Sequence, residues 1–247
     1  MRHGRWTARR GSALGAAAWL AFACLGLAGA AAAQGATPYP AMAPGGAYLM
    51  ADRDAEIALA RSAAPPSVSG DAEVLVLGPQ GYVSAAPGKN GFVCVVSRAW
   101  FSGFHDDGFW NPKERGPICY NPEAARSVLP TFLTRTTWAL SGVSLPEMLK
   151  RTQAAMAAGK IPVPETGSMT FMLSKGGYLG DAVGGPWHPH IMFYMPPIPT
   201  TDWGADLPGT RVFSTAADVD PYTMFYIPVA TWSDGTPAES AGAKHSM

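Results

Sequence analysis

Met192-Phe193-Tyr194-Met195-Pro196 returns, 32 residues later, as Met224-Phe225-Tyr226-Ile227-Pro228, and this near-duplication decides the reading of the fold. Both are short apolar and aromatic runs, and each ends in proline, which lacks the N–H that a ladder needs. Both therefore read as strands. Their shared residue types suit adjacent positions in one sheet. Two copies are too few for a solenoid, so the likeness marks similar surroundings and not a repeat fold. Met169–Leu173 reads as a further strand, turned by Gly176-Gly177. The C-terminal third is thus β.

Working back along the chain, Glu73–Leu77 is a β-branched apolar run, and Gly78-Pro79-Gln80-Gly81 turns it toward a second short strand at Tyr82–Ala85. Lys89-Asn90-Gly91 carries the Asn-Gly pair of tight hairpins and leads into the strand Phe92–Val96. Asp52 caps a helix through Ile57, Leu59 and Ala60, which Pro65-Pro66 stops. Residues 99–121 read as a long aromatic loop fixed by Cys119. Asn121-Pro122-Glu123 starts a helix, with Asn as cap and Pro in the first turn. Pro130 interrupts it, and helical spacing resumes over Thr131–Leu140 until Gly142. Ser144-Leu145-Pro146-Glu147 has the form of a capping box, opening a helix that runs to about Ala158 and stops at Gly159. The expected fold is α+β. It is a single domain with a mostly antiparallel sheet, two or three helices from residues 122 to 158 covering one face.

The first 33 residues stand apart. Arg2, Arg5, Arg9 and Arg10 precede an apolar run from Ala13 to Ala30, and Ala31-Ala32-Ala33 meets the small-x-small rule for signal peptidase. The pattern predicts a signal peptide cut before Gln34, and a periplasmic or extracellular protein. An uncleaved anchor is the competing reading, disfavoured by the Ala and Gly content of the run. The organisation expected is a signal peptide at 1–33, a flexible Pro/Gly/Ala-rich lead-in at 34–50, one α+β domain at 51–236 and a disordered tail at 237–247.

Removing the leader leaves 14 basic and 18 acidic residues, a formal charge of −4. That balance gives no electrostatic reason to bind nucleic acid or anionic lipid. Beyond the leader no continuous apolar run of membrane-spanning length occurs, so no integral membrane segment is expected after cleavage. The two cysteines left, Cys94 and Cys119, can pair in only one way, and an oxidising compartment favours a disulfide. Closing about 25 residues, it would contribute roughly 3 kcal/mol. Two buried thiols or a redox pair are the alternatives, and the lack of a CxxC weakens the latter.

Trp187-His188-Pro189-His190 is the sharpest chemical feature. In a strand starting at His188, alternation would put His188, His190, Met192 and Tyr194 on one face. Two imidazoles and a thioether are possible ligands for copper, and two imidazoles alone suit zinc. His105 and Asp106, on the long loop, would complete the shell or handle protons, and the glycine-rich Gly176–Gly185 would fold over it. Equally, the histidines could serve the strand's own hydrogen bonding, since no HExxH, HxxxH or CxxC accompanies them. Nucleophilic catalysis finds no GxSxG or SxxK, and Ser174-Lys175 would point to opposite faces of a strand. Asp106-Asp107 reads as a solvated turn before it reads as a glycosidase pair. No phosphate-cradling glycine motif is present. Trp100, Trp110, Trp187, Trp203 and Trp232 suit a core better than an exposed groove.

The segments Ala63-Ala64-Pro65-Pro66, Asn90-Gly91-Phe92-Val93-Cys94, Pro117-Ile118-Cys119, His188-Pro189-His190-Ile191-Met192 and Ile227-Pro228-Val229 together resemble a group of exported, functionally uncharacterised bacterial proteins. The resemblance spans roughly residues 52 to 236. It implies a secreted single domain and the pairing of Cys94 with Cys119, and brings no catalytic residue. The function expected is a cell-envelope or periplasmic binding or interaction module without catalysis. A metalloprotein or metal-dependent enzyme is the second reading, and a metal-free hydrolase the third.

Overall fold

The computed structural model describes residues 38–180, 187–215 and 219–238. The leader, the end of the tail and part of the glycine-rich stretch before Trp187 lie outside the described residues. The helices are α1 (Arg53–Arg61), α2 (Pro66–Ser69), α3 (Pro122–Ser127), α4 (Leu129–Leu140) and α5 (Leu145–Ala157). The strands are β1 (Glu73–Gly78), β2 (Gly81–Ala86), β3 (Val93–Ser97), β4 (Gly116–Tyr120), β5 (Met169–Met172), β6 (His190–Met195), β7 (Phe213–Thr215) and β8 (Thr223–Pro228). Among the described residues these eight strands form one sheet in the order β2-β1-β3-β4-β5-β6-β8-β7. All neighbours are antiparallel except β1 and β3. The fold is α+β, as the sequence leads one to expect. Among the described residues no helix is long and apolar enough to cross a membrane.

The duplicated motif sits in β6 and β8, which are hydrogen-bonded neighbours. Because they run antiparallel, Phe193 lies opposite Phe225, while Met192 faces Tyr226 and Tyr194 faces Met224. The two phenylalanines thus pair with each other and each tyrosine lies beside a flexible methionine, pairings that a pleated surface accommodates well.

The two faces of the sheet are covered differently. On one, α1 lays Ile57 and Ala60 over Val74, Val76, Cys94 and Cys119. On the other, α3 and α4 bring Val128, Leu129 and Phe132 onto Val95, Ile118, Tyr120 and Met172. A third apolar cluster joins Met148 of α5 to Tyr48, Trp100 and Phe109. No helix makes more than marginal contact with β6, β7 or β8. The wide end of the sheet is therefore roofed by loops.

Several local expectations are met and others are corrected. Asp52 caps α1 by accepting from the amides of Asp54 and Ala55. Asn121 caps α3 through Ala124 N and also accepts from Met169 N, tying the helix start to β5. Gly142 and Gly159 follow α4 and α5 at φ 74° and 64°, the left-handed conformation that ends a helix without a Cβ penalty. Pro130 opens α4, whose first turn has no use for the missing N–H. The capping box does not form: Ser144 makes no side-chain cap, and Glu147 instead pairs with Arg151 one turn on, at 3.0 Å. An exposed arginine at the right spacing competes successfully for that carboxylate. Lys89-Asn90-Gly91 makes no hairpin, because β3 returns to pair with β1 in parallel and not with β2. Asn90 there accepts from Phe92 N and donates to Val68 O, a local turn that aims the chain into β3. Pro66 begins the short α2. Cys119 lies in β4, so the aromatic loop is shorter than its composition suggests. Nor does the lead-in stay loose as far as residue 50: Tyr48 is fully buried, donates to Trp110 O at 2.8 Å, and accepts at its own carbonyl from Arg98 Nε at 2.7 Å.

Cys94 and Cys119 are directly opposite one another in the β3–β4 ladder, with Cα atoms 4.0 Å apart, and form a disulfide. Both are fully buried beneath α1. Replacing both by Ala should lower stability by roughly 3 kcal/mol, most of it through the freed unfolded chain. A urea midpoint unchanged from that of the parent protein would show that the bond contributes nothing.

Candidate functional site

Cross-strand register builds the floor of a cavity under the loop-roofed end of the sheet. Tyr120, Thr170, Met192, Tyr226 and Phe213 are successive partners across β4, β5, β6, β8 and β7, so they form one row on one face. Met172, His190 and Pro228 form the row on one side of it, and Tyr194, Met224 and Thr215 the row on the other. The alternate residues Phe193 and Phe225 point to the opposite face, where Trp203 stacks on Phe225 at 4.7 Å. The cavity has a volume of about 980 Å³. Phe101, Phe104 and Phe132 close one wall, and Trp187, Val219 and Tyr222 contribute another.

All five residues singled out as metal ligands, His105, Asp106, His188, His190 and Met192, line this one cavity. Among the described residues no three His, Cys, Asp or Glu side chains are grouped to hold an ion. β6 begins at His190, so His188 lies just outside the strand and is exposed while lining the same cavity. Nδ1 of His190 bonds the carbonyl of His188 at 2.8 Å, and the imidazole packs edge-on to Trp187 and Tyr226 at 5.6 and 6.1 Å. Burial holds its pKa below the usual histidine value, so at neutral pH the ring is uncharged, with Nδ1 as donor and the lone pair on Nε2. Met192 sulfur accepts from the Tyr194 hydroxyl at 3.9 Å.

Trp187 owes its position to two neighbours. Its Nε1 donates to Ser174 O at 2.6 Å, and the ring lies against Gly177, where a Cβ would come within 2.5 Å of Cζ2. Any larger residue at 177 would displace this wall. Ser174 bonds the Ser62 hydroxyl at 2.6 Å while Lys175 pairs with Asp234 at 2.7 Å, so the two make no catalytic dyad.

Three polar features of the cavity were not legible from local motifs. Glu114, just before β4, is 3 % exposed yet lines the cavity with Asp106 and Ser102. Burial first, and then the charge of Asp106, push its carboxyl up to about 8; the Arg115 cation and a Ser102 hydrogen bond oppose this. Tyr120 is fully buried and lines the cavity, and among the described residues its hydroxyl has no hydrogen-bond partner. Burial drives its pKa, and those of Tyr194 and Tyr222, well up. Asp220 is paired with the fully buried Arg135, whose guanidinium lies 4.3 Å over the Phe104 ring and 5.5 Å over Phe132. Only Tyr120 had an available signal: it follows Cys119, and alternation puts it on the face away from the disulfide.

No family profile, curated protein or solved structure matches the chain.

The raised carboxyl has a measurable consequence. Folded Glu114 holds its proton to about pH 8, whereas unfolded it releases it near 4.5, so the folded state carries more protons between those values. Stability contributed at this group therefore falls as pH rises through that window and is flat above it. Glu114→Gln, which mimics the protonated form, should gain on the parent protein progressively from pH 5 to pH 8.5 in thermal melts. A difference independent of pH would show that Glu114 ionises normally.

Proposed function

We propose that the protein is an exported, non-catalytic binding protein that holds a small, largely apolar molecule in the cavity under β5, β6 and β8. One observation carries this reading: a space of about 980 Å³ walled by phenylalanine, tyrosine, methionine and tryptophan side chains, with few polar atoms converging on it. Clefts of this size and composition are what small-molecule sites use, the apolar wall supplying affinity and the sparse polar groups orientation. A closed apolar core would have collapsed onto itself at interior density. The leader pattern and the disulfide support placement outside the cytoplasm.

The polar groups present suit recognition better than turnover. The Ser174 hydroxyl is committed to Ser62, neither cysteine is a thiol, and His190 is tied to the backbone.

The neutral fluorophore N-phenyl-1-naphthylamine should brighten on entering the cavity and saturate at one equivalent per chain. Met192→Trp, which fills the floor between Thr170 and Tyr226, should abolish that signal while far-ultraviolet dichroism stays unchanged. No saturable signal from the parent protein, or an equal one from a folded Met192→Trp variant, would contradict the cavity as the binding site.

A further inference from the structure

The charges around the cavity narrow the ligand class. Asp106, Glu114 and Asp220 line it, and no lysine or arginine does among the described residues. Asp220 already has its cation in Arg135, held behind the Phe104 and Phe132 rings and not itself part of the lining. Asp106 and Glu114 have none of comparable commitment. Arg115, next in sequence to Glu114, spends Nη1 on the carbonyls of Pro112 and Glu114 at 2.9 and 2.6 Å. Two carboxyl groups, of which Asp106 acts on Glu114, thus stand at a cavity walled largely by aromatic and aliphatic side chains.

Aromatic faces carry negative potential and attract cations most strongly when water is excluded. Trp187, Phe213, Tyr222 and Tyr226 present such rings along the walls and floor. The buried Tyr120 hydroxyl, with no hydrogen-bond partner among the described residues, adds an unsatisfied polar atom to this lining. An anion would meet these carboxyl groups with no lysine or arginine in the lining among the described residues. A neutral apolar molecule would leave both of these groups unanswered.

We infer that the ligand is an organic cation, an ammonium group on an apolar or aromatic body, held between the ring faces and the Asp106–Glu114 carboxyl pair. This rests on the cavity being a binding site, as proposed above. Binding draws Glu114 into its ionised form, because the incoming positive charge offsets both its burial and the repulsion from Asp106. Groups facing the same space are Ser102, His105, His188 and His190. Of these, His190 is uncharged at neutral pH and so does not repel a cation.

Equilibrium dialysis at pH 8.5 of benzyltrimethylammonium against its uncharged carbon isostere, neopentylbenzene, separates charge from shape, with 4-phenylbutyrate as the anionic control. The cation should bind at least tenfold more tightly than the isostere, and the anion should not bind measurably. Glu114→Gln should weaken the cation at least fivefold and leave neopentylbenzene unchanged. The exposed Asp106→Asn, which retains the oxygen that accepts from Gly108 N, should do the same should the buried variant fail to fold. Equal or tighter binding of neopentylbenzene would overturn the cation and leave the cavity reading standing. Tighter binding of phenylbutyrate would overturn it in favour of an anion site. Failure of all three to bind would overturn the binding-protein reading itself.

Discussion

A strand offers only every second side chain to a given face, and in this protein that constraint does most of the organising. Fixing the register of β3 against β4 at Cys94 and Cys119 assigns the disulfide to the α1 face and Ile118 and Tyr120 to the other. Each later pairing passes that assignment on, through Thr170 and Met192 to Tyr226 and Phe213. A slip of one residue at β6 would bring Phe193 into the cavity and carry His190, Met192 and Tyr194 out of it. The cavity is thus a consequence of pairing across five strands, and no single loop defines it.

Two buried ion pairs tie the loops and helices to that frame. Glu56 of α1 meets Arg98, which follows β3, at 2.8 Å, and the same carboxylate oxygen accepts from Leu77 N at 3.2 Å. Arg98 also bonds the carbonyls of Val96 and Tyr48, so the guanidinium joins the lead-in segment, α1 and the end of β3. Both side chains are out of water, and such a pair offsets its desolvation cost only when its other donors and acceptors are met, as they are here. Arg135 and Asp220 make the second link, from α4 to the segment entering β8, beside the cavity wall. There the offset is incomplete, since among the described residues Nε and Nη1 of Arg135 have no hydrogen-bond partner, and the guanidinium lies over the Phe104 and Phe132 rings.

The duplicated Met-Phe-Tyr strands and the helix stops at Gly142 and Gly159 were legible because each rests on short-range physics: proline and glycine backbone limits, and alternation. The Asp52 and Asn121 caps belong to the same class. The capping box at Ser144 was misread because the competitor, Arg151, lies a turn away and is invisible to a four-residue pattern. The Asn90-Gly91 hairpin failed for a longer-range reason. A chain turn does not reveal which strand receives it, and the ladder vacancy lay beside β1. At the cavity, residues as distant as His105 and His190 were gathered by the fold as the chemistry of the sequence invited, yet a shared cavity is not a coordination sphere. Glu114 was not legible because nothing within a few residues of it distinguishes a buried carboxyl from an exposed one, whereas for Tyr120 alternation from Cys119 gave its face but not its missing partner. Their significance arises from burial, which only the assembled sheet and loops create.

The account's central claim is that the register of β4 to β8 assembles one ligand site, and the methionines report on it directly. Met172, Met192 and Met224 line the cavity, whereas Met148 is buried in the separate cluster with Tyr48 and Trp100. Methyl spectra of the protein carrying ¹³C-methyl methionine, recorded while a bound cation or apolar probe is titrated in, test this in a single experiment. The prediction is saturable shifts at Met172, Met192 and Met224 with Met148 unmoved. Shifts centred on Met148, or none at the three cavity methionines under saturating ligand, would contradict it.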